Sequence, residues 1–209
     1  MKLLIIGATG GTGKQLVQQA LEQNHDVTAL VRDPAKMQIR HERLRVVVGN
    51  ILNPASVDAA VAGQDAILSS LGTRKWFRPT TLFSEGTKNL LRAMDRNGVR
   101  RLICITGVGV RETLGHGGFL YDKFFHPLFT KRIYDDKDRQ EEIIRSSGLE
   151  WIIVRPGLLT NGPATGNYRV LTDLTGVTIG RISRADVAAF MLAQLTSDRY
   201  LRQAPVLAY

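Results

Sequence analysis

Seven residues near the start carry the densest chemical signal. Gly7-Ala8-Thr9-Gly10-Gly11-Thr12-Gly13 places glycines at positions 7, 10 and 13. The stretch follows the apolar run Leu3 to Ile6 and precedes Leu16, Val17, Ala20 and Leu21, which recur at helical spacing. A glycine loop between a strand and a helix suits a pyrophosphate. Gly7 permits the tight turn, Gly10 and Gly11 let the backbone approach, and the helix start offers unpaired N–H groups and a positive dipole end. The second apolar run, 26–31, ends Leu30-Val31-Arg32-Asp33. An acidic residue at that tip favours a free ribose hydroxyl, and an arginine favours a 2′-phosphate. Arg32 comes first, which favours NADP over NAD. In the alternative reading Asp33 caps the turn that Pro34 begins and Arg32 is merely exposed.

The elements that must position these residues alternate in period. Strand-like runs occupy 2–6, 26–31, 44–48, 65–70, 101–106 and 151–155, and helical patterns occupy 11–23, 54–62, 80–96 and 134–147. Strands alternating with helices predict an α/β, Rossmann-type doubly wound parallel sheet. Ser183-Arg184-Ala185-Asp186 has capping-box spacing and predicts a last helix starting near 183. The C-terminal part is otherwise less regular. A single domain over 1–209 is expected, with loops 72–79, 107–130 and 156–170 forming the substrate pocket.

Composition narrows the classes. The 209 residues are 44% hydrophobic and 22% charged, as in an ordinary globular chain. Lone Cys104 excludes an intramolecular disulfide or a multi-cysteine zinc site, and no metal is expected. No apolar run reaches the roughly 18 residues of a membrane span, and the start lacks a leader with a cleavage site. A cytoplasmic protein with no membrane partner is expected. The net charge of +9 comes from scattered basic residues without a basic arm or a nucleic-acid-reading motif. It therefore reads as a solvated face that can attract polyanionic small molecules rather than nucleic acid.

GATGGTG, the VRDP turn, GQDAILSSLGTR (63–74), PTT-x-x-SEG-x-x-N (79–89), SSGL (146–149), RPG (155–157) and ISRADVAAFML (182–192) together resemble the atypical short-chain dehydrogenases of the NAD(P)-binding NmrA-like type. Within that type the chain is most similar to the biliverdin-IXβ reductase/flavin reductase group. The resemblance spans about 1–106 and 143–196, and 107–142 matches poorly. It implies that Thr9 to Thr12 cradle the pyrophosphate and Arg32 holds the 2′-phosphate. Asn50 and Ile51 would flank adenine, although the family usually has Asp there. Leu71, Gly72, Thr73 and Arg74 would pass under the ribose and diphosphate, and Pro156 and Gly157 would lie near the nicotinamide.

Short-chain dehydrogenases usually act through Ser, Tyr and Lys, with the last two spaced Y-x-x-x-K. Counted back from Ser147-Gly148-Leu149, the lysine is Lys137 and the tyrosine position is Ile133. Tyr134 is one residue out of register, a rotation of about 100°, so packing is its expected role. The serine position falls on Gly107, beside Thr106. Lys137 and Thr106 remain as catalytic candidates. An incomplete carbonyl-reducing set still permits hydride transfer to a conjugated acceptor, which spreads the added charge and can take its proton from solvent. Residues 119–134 hold six of the 14 aromatics (Phe119, Tyr121, Phe124, Phe125, Phe129 and Tyr134), and Trp76 and Phe77 follow strand four. These read equally as pocket wall and lid or as a buried helix, with a dimer surface as a third role. His116 is a loop histidine that could orient an acidic ligand.

The expected protein is an NADPH-dependent reductase of a small planar acceptor, neutral or anionic, of the flavin or linear tetrapyrrole type, working as monomer or homodimer. A non-enzymatic NADP-binding sensor of NmrA-like type is the alternative. A sugar-nucleotide epimerase is disfavoured by the short C-terminal region.

Overall fold

In a computed structural model, residues 1–73, 79–116, 118 and 131–209 are described, with Lys131 in its backbone only. Arg74, Trp76, Phe77 and the aromatics from Phe119 to Phe129 lie outside the described residues.

The first half follows the alternating pattern. β1 (Lys2–Ile6), α1 (Gly11–Glu22), β2 (Asp26–Val31), β3 (Leu44–Val48), α2 (Pro54–Val61), β4 (Ala66–Ser69), α3 (Leu82–Arg96), β5 (Arg101–Ile105), α4 (Lys131–Arg145) and β6 (Glu150–Pro156) come in that order. Four short strands and one helix complete the chain: β7 (Leu158–Thr160), β8 (Arg169–Leu171), β9 (Arg181–Ser183), α5 (Arg184–Ala193) and β10 (Val206–Ala208). The main sheet has the order β3-β2-β1-β4-β5-β6-β10-β8. All its pairings are parallel except β10 with β8. β7 and β9 form a separate parallel pair.

Side-chain alternation along each strand divides the core in two. Leu3, Ile5, Ile103, Ile105, Ile152 and Val154 meet α1 and α5 through Leu16, Val17, Val187 and Met191. Leu4, Ile6, Leu102, Cys104 and Ile153 meet the other layer through Val57, Val61, Leu90, Met94 and Ile144. Burial on both faces explains why these strands read as unbroken apolar runs. The strand order reverses between β1 and β4, and ligands of such sheets sit at the carboxyl ends of the strands beside that point.

Helix starts are individually secured. Asn53 accepts from the Ser56 N–H at the start of α2, and Ser183 accepts from the Asp186 N–H at the start of α5, as the capping spacing predicts. The start of α3 is different. Its N-cap residue, Thr81, makes no side-chain cap. Asp136 of α4 takes that role, accepting from the Phe83 N–H at 2.8 Å and the Ser84 hydroxyl at 2.5 Å. The helical pattern over 134–147 starts later than the helix itself. α4 already begins at Lys131 with no acid in its first turn. Asp136 is fully buried one turn later, where it ties α4 to α3.

Candidate active site

The glycine loop is built by close backbone approach. Gly7 has φ +77°, and a β-carbon there would lie 2.4 Å from the Ser70 carbonyl oxygen at the exit of β4. A β-carbon on Gly13 would lie 2.1 Å from the Gly7 oxygen. Both positions therefore exclude any side chain. Gly10 provides the N-cap of α1 without a side-chain bond, and no acidic residue occupies the first turn. The Lys14 N–H is the one that first returns to the chain, bonding the Gly10 oxygen at 2.9 Å. The N–H groups of Gly11, Thr12 and Gly13 therefore remain for an anion, reinforced by the helix dipole. Thr9 lies in the turn, and Thr12 is buried. This donor set fits a dinucleotide diphosphate.

At the tip of β2, Arg32 is exposed. Asp33 caps the next turn by accepting from the Ala35 N–H at 3.1 Å, and Lys36 lies 3.4 Å from its carboxylate. Asp33 is thereby occupied locally, as the alternative reading of that residue has it. Asn50 accepts from the Leu52 N–H through Oδ1 at 3.1 Å, which leaves its amide N–H groups as donors. Ile51 is 6% exposed and packs in the core, where a β-carbon on Gly86 would come 2.9 Å from it. Its side chain belongs to the core, so only its backbone can face a ligand. Beyond β4, Leu71 packs against the core, and Gly72 has open space at its β-carbon position. Thr73 is half-buried, and Arg74 lies outside the described residues.

The exit of β5 gathers a second set. A β-carbon on Gly107 would lie 3.2 Å from the Tyr134 hydroxyl oxygen and 3.7 Å from Lys137 Nζ. Sequence reasoning set Tyr134 aside on its register, and the structure brings it to the place where the resembled reductases carry serine. The reason is geometric. Residues three and four apart on a helix share one face, so a tyrosine three before Lys137 still lies beside it. The Lys137 ammonium donates to the Thr106 carbonyl and stands 5.5 Å from the Tyr134 ring centre. Burial lowers the Lys137 pKa to about 8, against the opposing field of Glu141.

Thr106 serves this site through its carbonyl. The residue is 2% exposed, and its hydroxyl donates to Glu141 at 2.6 Å. Glu141 is fully buried and takes two bonds from Arg155, at 2.9 and 2.5 Å. Arg155 reaches on to Glu112 at 2.7 Å. Burial opposes the charge on Arg155, but the bonds to Glu141 and Glu112 outweigh it and raise its pKa. This network fixes the floor beneath Gly107. Beside it, Cys104 is buried, and desolvation pushes its thiol up to about 12, so it is unreactive.

Pro156 ends β6 and is buried. Gly157 is required by its neighbour, since a β-carbon would come 2.3 Å from the Gly180 oxygen. His116 Nδ1 lies 2.9 Å from the Val177 oxygen, so this histidine ties two loops together. Loop 161–167 is held by fully buried Asp186, which accepts from Thr165, Gly166, Ser183 and Tyr209. Burial alone would raise the Asp186 pKa, and these donors more than offset it, so the pKa is lowered. Arg184 was not found from sequence. Its Cδ and Nε lie 2.7 Å from the β-carbon position of Gly11, and its guanidinium donates to the Leu159 oxygen at 3.2 Å and to Asn161 Oδ1 at 2.7 Å. Only its place in a capping box was legible.

A family model described as NAD(P)H-binding matches residues 7–198. The chain belongs to this NAD(P)H-binding family. It is 29% identical over 201 residues to the uncharacterized sugar epimerase YhfK of Bacillus subtilis (strain 168), covering 93% of this chain and 88% of the relative. It is 31% identical to the chloroplastic protein At2g34460 of Arabidopsis thaliana, covering 94% of this chain and 74% of that one. Among solved structures, the anaerobilin reductase ChuY of Escherichia coli O157:H7 superposes with a TM-score of 0.84 at 22% identity, covering 100% of this chain and 97% of the other. That likeness establishes the Rossmann fold. Among the described residues, no helix is long and apolar enough to cross a membrane.

Proposed function

We propose that this family member is an NADPH-dependent reductase that passes hydride to a planar conjugated acceptor of the flavin or linear tetrapyrrole type. The observation that carries the proposal is the placement of Lys137 Nζ beside Gly107 at the carboxyl end of β5, where glycine stands in place of the serine that would polarise a simple carbonyl. The N–H groups of Gly11 to Gly13 would hold the diphosphate, and Arg32 the 2′-phosphate. Lys137 would move from the Thr106 carbonyl to the nicotinamide ribose. Bound NADPH supplies the hydride. Tyr134 stands where a proton is needed when the acceptor keeps its new charge on one oxygen. A lysine with a pKa of about 8 beside it favours the tyrosinate after that proton has left. A flavin or tetrapyrrole delocalises the charge and depends less on this acid. The likeness in fold to ChuY, an anaerobilin reductase, supports the tetrapyrrole class.

The test is NADPH oxidation against flavins, linear tetrapyrroles, quinones and simple carbonyls. Turnover faster on the conjugated acceptors than on simple carbonyls supports the proposal, and turnover confined to simple carbonyls overturns it. Tight NADPH binding with no oxidation by any acceptor would favour the sensor reading, which the glycine in the serine position supports.

A further inference from the structure

We infer that Arg184 is a cofactor-binding residue whose guanidinium closes onto the diphosphate beside Gly11 of the glycine loop. The inference rests on the cofactor site described above and extends it to a residue from the far end of the chain. The Arg184 side chain crosses the first residue of α1, where a β-carbon on Gly11 would lie 2.7 Å from its Cδ and Nε. Any side chain at Gly11 would displace Arg184 from this place. A cation in that place is electrostatically mismatched by itself, because the helix start carries partial positive charge. Its partners are both neutral, the Leu159 carbonyl and the Asn161 amide oxygen. Among the described residues no carboxylate lies within ion-pair distance of it, as is also true of Arg40, Arg43, Arg100 and Arg169, but only Arg184 combines this with a place at the start of α1. An arginine held by neutral groups beside unpaired N–H donors forms a site that an anion completes.

The geometry also gives Arg184 a second connection. Leu159 and Asn161 begin the loop that Asp186 pins at Thr165 and Gly166. When the guanidinium turns to the diphosphate it leaves Asn161, so the cofactor reaches the loop beside the acceptor pocket through one side chain.

The experiment compares Arg184→Met with the parent by direct titration of NADPH, NADH and adenosine 2′-monophosphate. The monophosphate shares the adenosine and the 2′-phosphate but has no diphosphate. Losing one charge-assisted contact weakens binding by about ten- to a hundredfold. That loss is expected equally for NADPH and NADH, with the monophosphate unchanged and a shallower salt dependence for the two dinucleotides. Asn161→Ala removes a resting partner of Arg184 and should leave NADPH binding equal or tighter. Dinucleotide affinities within about twofold of the parent would overturn the inference and make Arg184 a structural clasp. So would an equal loss for all three ligands, which is the mark of a collapsed loop. A parent protein that binds neither dinucleotide would instead overturn the cofactor reading itself.

Discussion

The phenolic oxygen of Tyr134 stands 3.2 Å from the point where a β-carbon on Gly107 would lie. The two residues therefore share one small volume. The missing serine and the tyrosine shifted by one position are a single feature, in which the hydroxyl of one fills the room left by the other.

Tyr134→Phe should separate acceptors by how they hold charge. Reduction of a simple carbonyl should fall about a hundredfold or more, because a general acid contributes at least that much. Flavin reduction should stay within a few-fold, and NADPH affinity should not change. Steady-state rates on both acceptors with the same protein sample decide it. Equal losses on both would remove the distinction.

Gly107→Ser should be destabilising, even though the resembled reductases carry serine there. The backbone has φ +152°, and the new β-carbon would press on the Tyr134 hydroxyl. Strain of this kind costs about 1–3 kcal/mol. Urea denaturation measures it. In a Tyr134→Phe background the cost should shrink, since the crowding atom is gone and the backbone term alone remains.

Lys137 should leave a signature in the pH dependence of stability. Its folded pKa of about 8 lies below the ordinary value of 10.5. From about pH 8 to 10.5 the unfolded chain holds the proton that the folded protein has released, so stability rises with pH across that window. Relative to Lys137→Met, the parent should gain on the order of 2–3 kcal/mol between those limits. Thermal melts of both proteins from pH 7 to 11 read this directly. Parallel curves would mean that the amine titrates normally.

Glu141→Ala should be the most damaging substitution near the site. It leaves Arg155, which is 1% exposed, with Glu112 as its remaining carboxylate, and takes the acceptor from the Thr106 hydroxyl. Breaking a buried pair from one side costs about 3–5 kcal/mol. Replacing Glu141 and Arg155 together with Leu and Met should cost far less. The two denaturation midpoints make the comparison.

Arg32→Ala should change cofactor preference without changing the fold. Arg32 is exposed, and Asp33 is occupied by Ala35 and Lys36. NADPH should weaken about ten- to a hundredfold while NADH barely moves. Equal losses for both would place the 2′-phosphate elsewhere.

The glycine loop between β1 and α1 was legible because its logic is local. A glycine loop, its strand and its helix are adjacent in sequence, and the glycines mark the places where backbone meets backbone. The start of α5 was legible for the same reason, since Ser183 and Asp186 satisfy each other within one turn. The rest depends on distant partners. Asp136 looks like a solvent-facing helix acid until Phe83 and Ser84 are beside it. Ile51 looks like a ligand contact until Gly86 supplies the cavity that buries it. Arg184 and Gly11 are 173 residues apart, and neither shows its reason alone. β8 and β10 have three residues each, too few for periodicity to register.

The place of β10 also bears on synthesis. It lies between β6 and β8, yet it begins 50 residues after β6 ends. At about 5–20 residues per second, a ribosome needs roughly 3–10 s to make that stretch. Throughout that interval the edge of β6 that residues 202–207 later cover, through bonds at Trp151, Ile153, Arg155 and Gly157, stays open, the kind of edge on which other chains template. The nascent protein is therefore most exposed to aggregation and chaperone capture late in its synthesis, when its cofactor loop has long since emerged.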